Sequence, residues 1–160
     1  MENQACHFRS DEKLVMSVSY LFTAANAPTQ MAIANTKTCF FIDDDDDDRD
    51  FFCTAMKAIE TEMECVFSKN GHEAIEKLTG NPDFTPNFIF MDMNMPLMNG
   101  KECLEIITEI ERLKHTKVYI YSSSGNPKLV DELLSLGATD FLIKPSTMTD
   151  LKQMLKDVLT

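Results

Sequence analysis

The chain predicts a doubly wound α/β fold, a five-stranded parallel sheet covered by five helices, and two observations carry that expectation. From residue 38 onward, short runs rich in apolar, β-branched and aromatic residues alternate five times with longer stretches whose apolar residues recur at helical spacing. Two of the runs, CFFI at 39–42 and FIFM at 88–91, are apolar throughout, as expected of strands buried on both faces of a parallel sheet. Parallel neighbours need crossover connections, and the helical stretches supply them.

Taken in order, Thr38–Ile42 reads as the first strand, and residues 47–61 as a helix with Phe52, Ala55, Met56 and Ile59 on one face. Residues 64–68 alternate Cys65 and Phe67 as a second strand, followed by a turn at Gly71 and a short helix bearing Ala74, Ile75 and Leu78. Gly80, Pro82 and Pro86 break the chain before the third strand, which ends on Asp92. Gly100 opens a helix carrying Cys103, Leu104, Ile107 and Ile110, and residues 118–121 form a fourth strand running into three serines, Ser122, Ser123 and Ser124. Pro127 starts a helix through Ser135 with Leu129, Val130, Leu133 and Leu134 apolar, and Gly137 caps it. Asp140–Ile143 is the fifth strand, and Met148, Leu151, Met154, Leu155 and Val158 line the closing helix.

At 160 residues with 44% hydrophobic composition, the chain is long enough for one domain with a real core. No apolar stretch approaches the roughly 20 residues of a spanning helix, and a net charge of −11 argues against nucleic-acid binding, which needs basic surface. The five cysteines, Cys6, Cys39, Cys53, Cys65 and Cys103, show no CxxC spacing and read as reduced thiols of a cytoplasmic protein. His7, His72 and His115 have no ligand spacing either. The chain divides near residue 37. Before it, the apolar run 14–22 and the small residues Ala25, Asn26 and Ala27 resemble an export signal. Asp11, Glu12, Ser17, Ser19 and Pro28 count against that reading; residues 1–37 are expected to be a disordered or non-native upstream extension, with Met31 as a natural start and the first thirty residues dispensable for the chemistry.

The chemistry lies at the ends of the strands. The first strand runs into six consecutive aspartates, residues 43–48; the third ends at Asp92, the fourth at Ser122, the fifth at Lys144. Side chains at the carboxyl ends of neighbouring parallel strands converge on one crevice. Three carboxylates, a hydroxyl and an ammonium there are the parts for phosphoryl transfer to a carboxylate, with hard oxygen ligands for a divalent cation. Asp45 to Asp48 have a plainer reading as a solvated, acidic helix start.

With these residues in this order, the chain resembles a response-regulator receiver domain, the CheY-like, flavodoxin-like fold of the bacterial chemotaxis regulator. The resemblance covers residues 38–160 and rests on FFIDD, FIFMDMNMPLMNG, YIYSSS and GATDFLIKP. It implies strand order 2-1-3-4-5 and a stand-alone phosphoacceptor of a two-component phosphorelay. Asp92 would be the phosphorylated residue; Asp44, Asp92 and the backbone carbonyl of Asn94 would bind Mg²⁺, with Asp43 reaching it through water. Lys144 would pair with the phosphoryl group, Ser122 would shift toward it, and Phe141 would be the aromatic switch. Pro96 and Gly100 match the loop after the acceptor, where glycine would suit a backbone conformation closed to other residues. A histidine kinase or phosphotransfer protein would be the donor, and a downstream protein would read the fourth helix, fifth strand and fifth helix.

Serine at 122 in place of the commoner threonine keeps the hydroxyl, and phenylalanine at 141 in place of tyrosine keeps the ring but loses its OH. The extra aspartates, 45–48, should attract cations and disfavour an anionic phosphodonor. Met91, Met93, Met95 and Met98 read as core or loop filler. A haloacid-dehalogenase-like phosphatase would share Asp43 and Asp45 but expects Thr or Val at Asp47 and a cap region. A calcium loop fails at Asp48 and Thr54, where Gly and Glu are required. The runner-up is a receiver-fold interaction module that does not use phosphorylation.

Overall fold

The computed structural model describes residues 36–59 and 62–159, and the statements that follow concern these residues. The run 14–22, the export-like residues 25–27 and Met31 lie outside them. Five strands, β1 (Thr38–Ile42), β2 (Glu64–Ser68), β3 (Phe88–Met91), β4 (Lys117–Ser122) and β5 (Asp140–Ile143), form one parallel sheet in the order β2-β1-β3-β4-β5. The crossovers are α1 (Asp46–Ala58), α2 (Gly71–Gly80), α3 (Gly100–Thr108) and α4 (Pro127–Ser135), and α5 (Met148–Val158) closes the fold. This is the expected architecture.

The period of two along each strand divides the core into two layers. Phe40, Ile42, Ile89, Met91 and Ile120 face one side, where they pack with Leu78 of α2, Cys103, Leu104 and Ile107 of α3 and Leu133 of α4. Cys39, Phe41, Phe88, Phe90, Tyr119 and Tyr121 face the other, against Phe52 and Met56 of α1 and Leu151 and Leu155 of α5. That second layer is largely aromatic: Phe41 stacks on Phe52 with centroids 4.1 Å apart, and Phe90 stacks on Tyr119 at 5.0 Å. Each such pair contributes roughly 0.5–1.5 kcal/mol beyond its buried area.

Every helix starts on a side-chain cap. Asp45, Asn70, Asn99, Asn126 and Thr147 accept from backbone N–H groups in the first turns of α1 to α5, and Asn99 forms a reciprocal capping box with Glu102. Gly137, at φ 110°, follows the end of α4 in the left-handed conformation its position demands.

Two local readings of the sequence need correction. The helix expected over 47–61 is Asp46–Ala58, because Ile59 leaves helical geometry although its side chain continues the apolar pattern. Gly71 is not a turn residue but the first residue of α2; a Cβ there would lie 2.3 Å from Cys103 Sγ, so glycine permits close approach of α3. Cys39, Cys65 and Cys103 are free thiols, and Cys6 lies outside the described residues. A single 3₁₀ turn, Glu111–Leu113, precedes β4 and was not anticipated. Among the described residues no helix is long and apolar enough to cross a membrane.

Candidate functional site

Strand register builds the site. Ile42 pairs with Met91 and Met91 with Ile120, so the residues just beyond β1 and β3, Asp43 and Asp92, emerge side by side; the Asp92 N–H donates to the Ile42 carbonyl at 2.9 Å. Ser122 ends β4 opposite Ile143, and the Lys144 N–H donates to the Ser122 carbonyl at 2.9 Å. Four residues separated by up to 101 positions thus stand in one row at the carboxyl edge of the sheet.

Lys144 ties the row together. Its Nζ donates to Asp43 Oδ2 at 2.8 Å and Asp48 Oδ2 at 2.7 Å and lies 3.0 Å from Asp92 Oδ1, with the Tyr121 ring 5.5 Å away. An ammonium has three N–H donors, and three carboxylates face it here. Burial alone would lower the lysine's pKa, but hydrogen bonds to Asp43, Asp48 and Asp92 outweigh it and hold the ammonium well above the usual lysine range. Asp43 is 1% exposed; burial, together with the neighbouring Asp92 charge, pushes its carboxyl upward by more than Lys144 and the Asp45 N–H pull it down. Asp92, also buried, accepts the Asn94 N–H on Oδ2 at 2.6 Å.

Ser122 is buried at the end of β4, with Asn94 Nδ2 3.5 Å from its Oγ, too long for a firm hydrogen bond. Phe141 is half-buried, its ring lying against Gly125 in the loop after β4: a Cβ on Gly125 would lie 2.5 Å from the ring. Met93, Asn94, Ser124, Gly125, Asn126 and Leu129 line an open cleft between the loop after Asp92 and the start of α4. Gly100 does not have a positive φ, contrary to the expectation; glycine is needed because a Cβ would sit 2.7 Å from the Asp92 carbonyl oxygen. The left-handed residue in that loop is Leu97, at φ 69°.

The acidic run separates into distinct jobs. Asp43 is buried on Lys144, Asp44 is exposed, Asp45 caps α1, Asp46 pairs with Arg49, and Asp48 reaches Lys144. Arg49 was not among the residues read from the sequence, and Asp48 was read only as part of the acidic helix start, not as a partner of Lys144. Arg49, buried in the first turn of α1, donates to the Asp43 carbonyl and so braces the loop from behind. A lone arginine directly after six aspartates was the available signal.

Of the residues expected to hold a cation, the structure brings Asp43 and Asp92 together through Lys144, leaves Asp44 exposed at the loop surface and places Asn94 two residues past Asp92. Among the described residues no group of three or more His, Cys, Asp or Glu is disposed as a metal cage. The donors are nonetheless all hard oxygens, and Mg²⁺ keeps several waters and takes only one or two carboxylates, so the donor set fits it.

The chain belongs to the response regulator receiver domain family, whose sequence model matches residues 39–156. It is similar to the two-component response regulator ARR6 of Arabidopsis thaliana, 32% identical over 119 residues, which cover 71% of this chain and 64% of that protein. The fold is also that of a phosphorylated cyanobacterial phytochrome response regulator, RcpA (TM-score 0.70, 24% identity, covering 77% of this chain and 91% of that one). The Mn²⁺-bound response regulator Rcp1 superimposes with TM-score 0.68 at 24% identity, covering 76% and 91%.

Proposed function

We propose that this receiver domain works as a phosphoacceptor in a two-component phosphorelay, with Asp92 as the acceptor. The observation that carries the reading is the convergence of Asp43, Asp92 and Lys144, from the ends of three strands, beside the buried Ser122. A carboxylate oxygen of Asp92 attacks the phosphorus of a phosphohistidine or small phosphodonor. The new P–O bond forms as the donor's bond to phosphorus breaks, and the donor leaves with that electron pair. The product is an acyl phosphate whose extra negative charge lies beside Lys144, which stands 3.0 Å from Asp92 already. Attack by water returns the carboxylate and inorganic phosphate, so the only chemistry is the domain's own phosphorylation and dephosphorylation.

Asp44, Asp92 and the Asn94 carbonyl would hold Mg²⁺, with Asp43 reaching it through water; the Mn²⁺-bound form of the response regulator Rcp1 supports a divalent ion on this fold. When bound, the ion supplies positive charge to the phosphoryl oxygens. Ser122 and Phe141 form the switch: the hydroxyl moves toward the phosphoryl group, and the ring, held against Gly125, follows. Residues 38–160 carry the function and residues 1–37 are an extension. A histidine kinase or phosphotransfer protein is the donor, in the cytoplasm. The output is a protein partner on α4, β5 and α5, where Leu134 and Ile143 are exposed; nucleic acid is not a partner of so acidic a chain.

The test is incubation with acetyl phosphate and Mg²⁺ followed by mass spectrometry. The expected result is one labile phosphoryl group on Asp92, absent in Asp92→Asn and without Mg²⁺. Label persisting in Asp92→Asn sinks the assignment, and no label in the wild-type protein favours an interaction module that works without phosphorylation.

A further inference from the structure

We infer that Asp48 is a positioning residue of the phosphoacceptor site, the exchangeable carboxylate on Lys144, and that it slows loading from anionic donors. The inference rests on the proposed function and adds a residue to it. Lys144 Nζ has its shortest contact, 2.7 Å, with Asp48, a residue of α1's first turn and not of a strand end.

The three carboxylates on this ammonium are not equivalent. Asp43 has a side chain 1% exposed, so taking Lys144 away would leave a bare buried charge. Asp92 is the reacting group itself. Asp48 has a side chain 39% exposed, so its carboxylate can turn into water at small cost. Phosphorylation replaces the single charge of the Asp92 carboxylate by a phosphoryl group of roughly −1.5 to −2 with three acceptor oxygens, a stronger competitor for the ammonium than one carboxylate. Asp48 is therefore the partner that gives way when the phosphoryl group arrives.

Before that happens, Asp48 opposes arrival. Its negative charge is held within the reach of one ammonium from the acceptor, and it neutralises part of the side-chain cation that contacts Asp92. An incoming anionic donor meets both effects, and both are Coulombic, so both fade when salt shortens the screening length. Asp45, Asp46 and Asp47 do not share this role. Asp45 is occupied as the helix cap, Asp46 pairs with Arg49, and Asp47 is exposed.

The experiment measures the rate of acetyl-phosphate labelling of the full chain with saturating Mg²⁺, at about 20 mM and about 1 M salt, for wild type, Asp48→Asn and Asp48→Glu. Asp48→Asn is expected to load about fivefold faster at low salt, the ratio falling toward one at high salt. Asp48→Glu, which keeps the charge, should stay within about twofold of wild type. A loss of helix-cap stability or packing would not give a salt-dependent acceleration. Equal or slower loading of Asp48→Asn, or an acceleration that salt does not reduce, overturns the role of Asp48. Failure of the wild-type protein to label at all instead overturns the phosphoacceptor reading beneath it.

Discussion

Replacing Lys144 with methionine keeps most of the side-chain volume and removes the one cation shared by three carboxylates. Lys144 is 12% exposed and Asp43 1%, so the substitution leaves a buried carboxylate without its partner, beside the nearly buried Asp92. Breaking one side of a buried ion pair costs about 3–5 kcal/mol; with Asp48 well hydrated, the lower end applies, about 3 kcal/mol. For a domain of this size each kcal/mol lowers Tm by about 3–5 °C, so the variant should melt roughly 10 °C below wild type at neutral pH. The pH dependence has a definite sign. Burial already raises Asp43 in the native protein, and without Lys144 its folded-state pKa rises further above the unfolded one. The native variant then binds protons more tightly than its unfolded chain, so its deficit is full above the folded pKa and shrinks as pH falls through it. Adding Asp43→Asn to the variant should recover part of the loss, as a coupled pair requires. Urea melts at about pH 7 and pH 5 give both numbers. A loss below about 1 kcal/mol, or one that is the same at both pH values, refutes the view that Lys144 compensates buried charge.

Three further outcomes follow from the same geometry. Gly100→Ala should cost about 1–3 kcal/mol and reduce labelling of Asp92 several-fold, because the added Cβ meets the backbone of Asp92 and Met93 at 2.7 and 3.0 Å, atoms that have no rotamer to move; urea melts and label yield check it, and wild-type values for both defeat it. Leu97→Asn should be neutral to stabilising by up to about 1 kcal/mol, since Leu97 is 89% exposed at φ 69° and asparagine tolerates that conformation better; a loss above about 0.5 kcal/mol means the leucine side chain has a contact that matters. Cys65 should alkylate faster than Cys103 in a timed iodoacetamide reaction read by peptide mass, because the hydrogen bond from Cys39 lowers the Cys65 thiol while burial pushes Cys103 up to about 12; the reverse order contradicts it.

The sequence by itself determined the sheet and the row of strand-end residues. CFFI and FIFM could only be buried parallel strands, and once five such strands alternate with helices, register brings Asp43, Asp92, Ser122 and Lys144 to one edge without further information. The caps were legible for a similar reason: Asn99 and Glu102, or Asn126 before Pro127, act within one turn of chain. What remained hidden were relations between residues distant in sequence. That Gly71 makes room for Cys103, that Gly100 makes room for the Asp92 carbonyl, and that Gly125 seats the ring of Phe141 depend on how closely two elements approach, and a glycine looks the same in a turn as at such a contact. The six aspartates show the limit most clearly. As a string they are identical, yet one is buried on a lysine 101 residues away, one caps a helix, one pairs with Arg49 and one competes for that same lysine. Which carboxylate does which is set by the direction in which α1 leaves the sheet and by where β5 delivers its ammonium, and only the packed tertiary structure fixes those two vectors.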